Sequence, residues 1–389
     1  MPAPASASAA LPAAPPAARP TVLLTGGSGV IGTALLPELA DCHVIALTHR
    51  APCPGADEQV RGDLTAYRLG LGKADYAALV RRVDVVVHAA AVTGFSSGAD
   101  ATHRLNEAGT RRIADFTADA DARLYHLSTA FVARRELTRA GLGKDTGDAS
   151  ARPEDYVDSK RAGEAVVRDS GVPAVIVRPS VVIGDSVTGH ISAFQGMHAV
   201  LLSLLRGLLP LLPAPRHSRV DFVPCDLVGR VLARLVAEGR TGGEVWVTAG
   251  ENAITVERLL ELTAKAGAEL GLTPVMPRMV GQDMVDRLIR PVFISTLRPG
   301  MRRRFDDMLA LTALFADAGP FPSSLGAAPV AVAAPSTAEV ETALLRTVTH
   351  LARAKGLAPA HGGRHHGGAH TSRTSPGAAA GPGEELLAG

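Results

Sequence analysis

The chain has 389 residues, 46% of them hydrophobic, with a formal net charge of +2 and three cysteines. That length holds two domains or one large one with ample core, and the balanced charge leaves no electrostatic footprint for nucleic acid. Cys42, Cys53 and Cys225 fall in no disulfide or zinc spacing, so no metal site is expected and a reducing cytoplasm is the simplest compartment.

Residues 1–19 are alanine- and proline-rich and lack the early basic region and unbroken apolar stretch of a signal peptide; they read as a disordered leader. Organised sequence begins at Thr21. The apolar run Val22-Leu23-Leu24 leads into Gly26, Gly27, Ser28, Gly29, Val30, Ile31 and Gly32, and helical spacing follows through Ala34, Leu35 and Leu39. Strand, glycine turn and helix in that order is the phosphate-binding opening of a dinucleotide fold, although such turns also occur without a ligand. Gly26 suits a tight turn, Gly29 admits a pyrophosphate, and Gly32 lets the helix pack closely on the strand. The helix start offers unpaired N–H groups to the phosphates.

His43–Leu47 reads as a second buried strand, ending in Thr48-His49-Arg50. About 20 residues past the glycines, an acid would bind the adenosine 2′-hydroxyl. None is present, and Asp41 lies at the wrong end of the strand. Arg50 offers charge-assisted bonds to a 2′-phosphate, which favours NADP(H) over NAD(H); the alternative is a solvated loop arginine. Asp63, followed by Leu64, either meets the adenine edge or caps the next helix. Val83–Val87 is a further buried strand, and Ala89 and Ala90 after it are small enough for a cofactor to cross the strand end. His88 is read as structural.

A helical segment begins at Asn106, and the strand Leu124–Leu127 ends in the hydroxyls of Ser128 and Thr129. A polar loop from Arg134 to Arg152 leads to a helix reaching Arg168. The strand Ala174–Val177 then ends in Arg178-Pro179-Ser180, and Pro179 is expected to border the cofactor. Strands alternating with helices predict an α/β, doubly wound parallel sheet. Beyond Gly184 the pattern loosens. The Leu-rich stretch 199–212 is interrupted by Arg206 and Pro210 and is too short to span a bilayer; it reads as a core helix or as the wall of an acyl pocket. Strand, turn and helix start follow over 220–230 with Asp226 as N-cap, then a strand at Glu244–Thr248 and a capped helix from Thr255 to Ala264. A basic segment over about 277–325, with Arg298, Arg302, Arg303 and Arg304, reads as solvated surface. The tail 358–389, including His361–His370, is low-complexity. The expected organisation is a dinucleotide-binding domain over 20–184, with 220–250 returning to it, and a smaller substrate-binding region over 185–219 and 251–357.

Of the four tyrosines only Tyr156 is followed four residues later by a lysine, Lys160. On a helix the two share one face. A neighbouring ammonium favours phenolate and lowers a pKa that is ordinarily near 10, so the phenol can exchange a proton with a carbonyl oxygen while hydride moves at its carbon. An exposed helix pair is the competing reading; the hydroxyl-ended strand before this helix argues against it.

TGGSGVIG, HAAAV, NEAGT, LSTAFV, YVDSK and VRPS, in this order over roughly residues 20–250, resemble the extended short-chain dehydrogenase/reductases. The resemblance implies a Rossmann fold with a small C-terminal substrate domain and a catalytic set of hydroxyl, tyrosine and lysine: Thr129 with Ser128 as its neighbour, Tyr156, and Lys160, which would also hold the nicotinamide ribose. STAFV, VRPSVVIGDSVTG, VDFVPCDLV and Arg50 resemble the thioester-reductase branch, with its carboxylic acid reductase and fatty acyl-CoA reductase domains. That branch implies NADPH, an acyl thioester of CoA or of an acyl carrier protein, and an aldehyde product. Ala133-Arg134 departs from the Tyr-Gly of many extended members. A homodimer through paired helices is a common arrangement in the superfamily. The competing readings are a nucleotide-sugar epimerase or dehydratase with bound NAD, a hydroxysteroid dehydrogenase-like enzyme, and a binding protein on a degenerate scaffold.

Overall fold

Period-two alternation divides each central strand between two apolar layers. Val22 and Leu24 face one layer and Leu23 the other; Val85 and Val87 are separated from Val86 in the same way, as are Val175 and Val177 from Ile176. A sheet buried on both faces needs helices on both faces, which is the setting of parallel strands. The computed structural model describes residues 19–93, 99–134, 153–281, 284, 287, 319–326 and 330–357. Residues 1–18 of the expected leader, the loop 135–152, the arginines at 298 and 302–304 and the tail from 358 lie outside them.

The strands are β1 (Thr21–Thr25), β2 (His43–Thr48), β3 (Glu58–Arg61), β4 (Val85–His88), β5 (Arg123–Leu127), β6 (Ala174–Pro179), β7 (Val181–Ile183), β8 (Leu211–Leu212), β9 (Arg219–Val220), β10 (Phe222–Pro224), β11 (Glu244–Val247), β12 (Ile254–Thr255) and β13 (Arg278–Met279). Seven of them form one sheet in the order β11-β6-β5-β4-β1-β2-β3. Every pairing in it is parallel. The order reverses between β1 and β4, the switch point of a doubly wound α/β fold, so the predicted fold class is the one observed.

The helices are α1 (Val30–Leu35), α2 (Lys73–Val80), α3 (Ala99–His103), α4 (Thr110–Asp119), α5 (Pro153–Asp169), α6 (Met197–Leu205), α7 (Cys225–Ala237), α8 (Val256–Glu269) and α9 (Thr337–Ala354). A π turn over Arg104–Gly109 joins α3 to α4, so helical structure begins before Asn106 rather than at it. The Leu-rich stretch forms α6 only as far as Leu205; Arg206 caps it and Gly207 turns the chain with φ +63°. Asp226 is not the N-cap of α7, since Pro224 occupies that position. Its carboxylate instead accepts from Ser186 N–H (2.8 Å) and Ser186 Oγ (2.7 Å), tying the loop after β7 to the helix. Thr255 does cap α8, accepting from Arg258 N–H at 3.1 Å. Helices α6, α8 and α9 pack around a separate apolar cluster that includes Leu201, Leu204, Leu259, Leu262, Leu344 and Val348.

One ion network fixes α5 against the sheet. Arg178 on β6 grips Glu164 on α5 through Nε (2.8 Å) and Nη2 (2.6 Å), and also bonds Glu244 on β11. The Arg178 and Glu164 side chains are only 7% and 3% exposed, so the pair is desolvated and depends on these bonds. Arg168 closes the network from the surface with bonds to Glu164 (2.7 Å) and Glu244 (2.6 Å), and Trp246 lies 4.5 Å from the Arg178 guanidinium. Burial by itself would raise the Glu164 pKa, but Arg178, Ser128 and Arg168 outweigh it and hold the carboxyl below its ordinary range.

Arg178→Met leaves Glu164 buried without its main partner, and urea unfolding at neutral pH should show a loss of about 3–5 kcal/mol. Because the folded Glu164 value is depressed, its contribution is complete above the ordinary carboxylate range. It fades as pH falls through the folded value, so the stability gap between wild type and Glu164→Gln should narrow on acidification.

Candidate active site

The glycine turn closes between β1 and α1. Gly26 has φ +72°, and a Cβ there would stand 2.5 Å from Ala90 N and 2.6 Å from Ala89 C. The turn therefore lies directly on the chain leaving β4. Gly32 packs against the turn rather than the strand: a Cβ there would meet the Gly26 carbonyl at 2.2 Å. The face of Gly29 is open, with the Gly26 carbonyl the nearest neighbour to an added Cβ, at 3.2 Å. Ser28 is exposed, and no side chain caps α1. An open turn with uncapped amides at the switch point fits the pyrophosphate of a dinucleotide.

A cavity at the carboxyl edge of β4, β5 and β6 is lined by Val30, Ile31, Ala89, Leu127, Ser128, Thr129, Tyr156, Lys160 and Pro179. Phe131, Val181, Ile191, Met197 and His198 form its other wall. Of the remaining expected cofactor residues, Ala90 packs on the apolar layer beneath the sheet and Leu64 is buried in that layer. Asp63 is held by Thr65, whose N–H and Oγ both donate to it at 2.8 Å, so it caps its own turn. Arg50 is exposed two residues beyond β2. Arg61, also exposed, ends β3 opposite Thr48. Among the described residues neither arginine enters an ion pair, and the two stand at one sheet corner. Sequence reasoning overlooked Arg61 because its nearness to Arg50 arises only from strand pairing.

Helix α5 brings Tyr156 and Lys160 to the cavity, and β5 brings Thr129. The Tyr156 hydroxyl pairs with that of Thr129. Ser128, the neighbouring hydroxyl, is buried beside Glu164, and its Oγ makes no hydrogen bond among the described residues. Thr129 Oγ also accepts from Phe131 N–H at 3.3 Å, starting a short helical turn. Arg161 on α5 donates to the carbonyls of Val132 (3.2 Å) and Arg134 (2.8 Å), which holds the segment after Thr129 in place. Lys160 is buried, and its Nζ donates to the Leu127 carbonyl at 2.7 Å.

The electrostatics differ from the expectation. Burial pushes the Tyr156 phenol up to about 12, with the Thr129 hydroxyl drawing it partly back, and no lowering by Lys160 appears. Burial also brings Lys160 down to about 8, against the pull of Glu164. The Lys160 charge helps to lower His88 and His126, but it is not among the groups that shift the Tyr156 phenol, where spacing alone suggested its effect. Tyr156 is therefore held as a neutral phenol. Beneath Lys160, His88 and His126 lie with ring centroids 5.4 Å apart. Burial lowers His88 to about 3, and it bridges Thr25 Oγ (2.7 Å) and Thr110 Oγ (3.2 Å), a structural post.

Asn106 sits in the π turn and clamps Val92 on both sides, accepting from its N–H (2.8 Å) and donating to its carbonyl (2.9 Å). Its Nδ2 also reaches Ser159 Oγ on α5 (3.0 Å). Tyr156, Lys160, Glu164 and Arg168 recur every four residues along α5, a stripe legible in the sequence that would have marked Glu164 as the next member of the face.

The male sterility protein family model matches residues 55–232. A hybrid PKS-NRPS synthetase, LUC5, of a Fusarium species is 27% identical over 279 residues, covering 65% of this chain and 7% of that protein. A putative fatty acyl-CoA reductase of Drosophila melanogaster, CG8303, is 26% identical over 277 residues, covering 54% of this chain and 50% of that one. The chain thus spans half or less of the length of these curated relatives. The terminal R domain from the myxalamid PKS-NRPS biosynthetic pathway superposes with a TM-score of 0.64 over 89% of this chain and 93% of that one, at 19% identity. The Bordetella bronchiseptica enzyme WbmG, solved with NAD and UDP, gives 0.56 over 87% and 96%, at 18% identity. At such identities the structural likeness is one of fold.

Lys160 binds its proton less tightly in the folded chain, near 8, than in the unfolded chain, where the ordinary lysine value of 10.5 applies. Between those values the unfolded state holds more protons, so stability should rise with pH across that window. Equilibrium unfolding at pH values from about 7 to 10 should show that rise in wild type and its loss in Lys160→Met.

Proposed function

We propose, for a chain that belongs to the extended short-chain dehydrogenase/reductases and is an NAD(P)-dependent oxidoreductase, that its reaction is the NADPH-dependent reduction of an acyl thioester to an aldehyde. The observation that carries this reading is the pairing of Tyr156 with Thr129 in a cavity whose far wall is apolar, through Phe131, Val181, Ile191 and Met197. Two hydroxyls at one point can both donate to a carbonyl oxygen, and the apolar wall suits an acyl chain.

When bound, the nicotinamide supplies hydride to the carbonyl carbon. Thr129 and Tyr156 donate to the carbonyl oxygen and stabilise the negative charge that develops there. A phenol kept protonated by burial is a donor in this direction and does not have to be reprotonated first. Collapse of the tetrahedral oxyanion expels the thiolate and leaves the aldehyde. Where a second reduction follows, Tyr156 gives its proton to the alcohol oxygen. Lys160, anchored to the Leu127 carbonyl, would hold the nicotinamide ribose, and the glycine turn would hold the pyrophosphate. A thioester of CoA or of an acyl carrier protein is the proposed form of substrate, in keeping with the names of the fly and fungal relatives.

Arg50 and Arg61 support NADPH over NADH, since two guanidinium groups at the corner beyond β2 and β3, neither in an ion pair among the described residues, match the charge of a 2′-phosphate. The same cations weigh against the nucleotide-sugar epimerase reading, which calls for an acid at this corner to hold NAD permanently.

Tyr156→Phe should retain NADPH binding and lose about 10²- to 10⁴-fold in turnover. Full activity in that variant, assayed as NADPH oxidation with any accepted carbonyl substrate, would overturn the assignment. Arg50→Ala and Arg61→Ala should each weaken NADPH binding about tenfold while leaving NADH unchanged, as read by fluorescence titration of both cofactors. Equal affinities for the two cofactors, unmoved by either change, would remove the argument for NADPH.

A further inference from the structure

His198 stands at the start of α6 in the cavity wall and has no part in the hydride step. It is 2% exposed and lines the same cavity as Thr129 and Tyr156, together with the apolar Ile191 and Met197. Its Nδ1 lies 2.9 Å from the Gln195 carbonyl and 3.3 Å from the Gln195 N–H. The shorter contact assigns the ring hydrogen to Nδ1, which leaves Nε2 with an unshared electron pair. Nε2 is buried and has no partner among the described residues. The ring is further fixed by Phe194, 5.6 Å away between centroids. Burial favours the neutral imidazole, as does nearby His350, against the pull of the Gln195 carbonyl.

A buried acceptor without a donor carries a desolvation cost that a ligand can relieve. Beside the apolar side chains of Val181, Ile191 and Met197 such a group also discriminates, because a substrate lacking the matching donor leaves it unpaired. Resting on the carbonyl-reductase reading, we infer that His198 Nε2 accepts a hydrogen bond from a hydroxyl or amide N–H on the acyl portion of the substrate. The pocket then selects polar-substituted acyl groups over plain alkyl chains. His198 acts as a specificity-determining residue and leaves the chemistry at the carbonyl to Thr129 and Tyr156.

The test uses N-acetylcysteamine thioesters of octanoic, 3-hydroxyoctanoic and 2-acetamido-octanoic acids, which share the eight-carbon chain and add to it no donor, a hydroxyl at C3 or an amide N–H at C2. Dissociation constants are measured by calorimetry on the NADP⁺ complex of the Tyr156→Phe chain, with and without His198→Leu or His198→Gln. Wild-type turnover is measured in parallel. At least one donor-bearing thioester should bind about tenfold or more tightly than the octanoyl compound, and the tighter of the two identifies the donor. His198→Leu should abolish that preference while leaving octanoyl binding within about twofold, and His198→Gln, which presents an acceptor oxygen, should restore part of it. In wild type the preference should fall in KM rather than kcat.

The inference is overturned if no preference exists, if it survives His198→Leu, if that change weakens all three ligands equally as a structural role would, or if none of the three binds. A preference that depends on His198, found together with no turnover of any thioester, would uphold the inference and retire the thioester-reductase reading instead.

Discussion

The contact on which the site depends is the buried ion pair of Glu164 and Arg178. Two charges withdrawn from water gain little net stability, and the pair's effect is one of placement. Glu164 is one turn of helix beyond Lys160, and Arg178 immediately precedes Pro179 in the cavity wall. Two bonds from one guanidinium to one carboxylate fix both the height of α5 along β6 and its rotation about its own axis. A helix rotated by one residue would carry Tyr156 off the cavity by about 100°, since an α-helix has about 3.6 residues per turn. Glu244 extends the grip to β11, so the strand at the edge of the sheet is joined to the same constraint.

Around this pin the site has few charges. His88 and His126 are kept neutral by burial, and the phenol stays protonated for the same reason. The lysine was expected to act on the tyrosine as a local cation, but it spends a bond on the Leu127 carbonyl and is itself desolvated. Desolvation, which acts on every buried group, outweighs the single pair interaction that the four-residue spacing suggested. The result is a tyrosine kept protonated and a lysine whose ammonium is anchored to the backbone beside it.

Much of the fold was legible because each of its signals is local. Alternation in Val22–Leu24 and Val85–Val87 marked buried strands, Thr255 announced its helix, and the glycine turn lay where a strand gives way to a helix. The Tyr156–Lys160 spacing was enough to bring both residues to one cavity. What escaped notice depends on partners distant in sequence. Asp226 looks like an N-cap, yet its carboxylate is claimed by Ser186 from a loop some forty residues earlier in the chain. Arg61 gains its meaning from strand pairing with Thr48, and His198 from the loss of water around one nitrogen. Glu164 was visible as the third member of a four-residue stripe, but its partner Arg178 appeared only as part of a strand-end motif.

The close approach of Gly26 to Ala89 and Ala90 has a bearing on the thermodynamics of cofactor capture. Two loops that the proposed dinucleotide would meet are packed backbone to backbone, and Asn106 ties the second of them to α5 through Val92 and Ser159. Little conformational entropy remains in this floor to be surrendered when a ligand arrives. For these two described loops, the contribution to affinity would then come from what the phosphates and ribose meet on arrival rather than from ordering of the backbone.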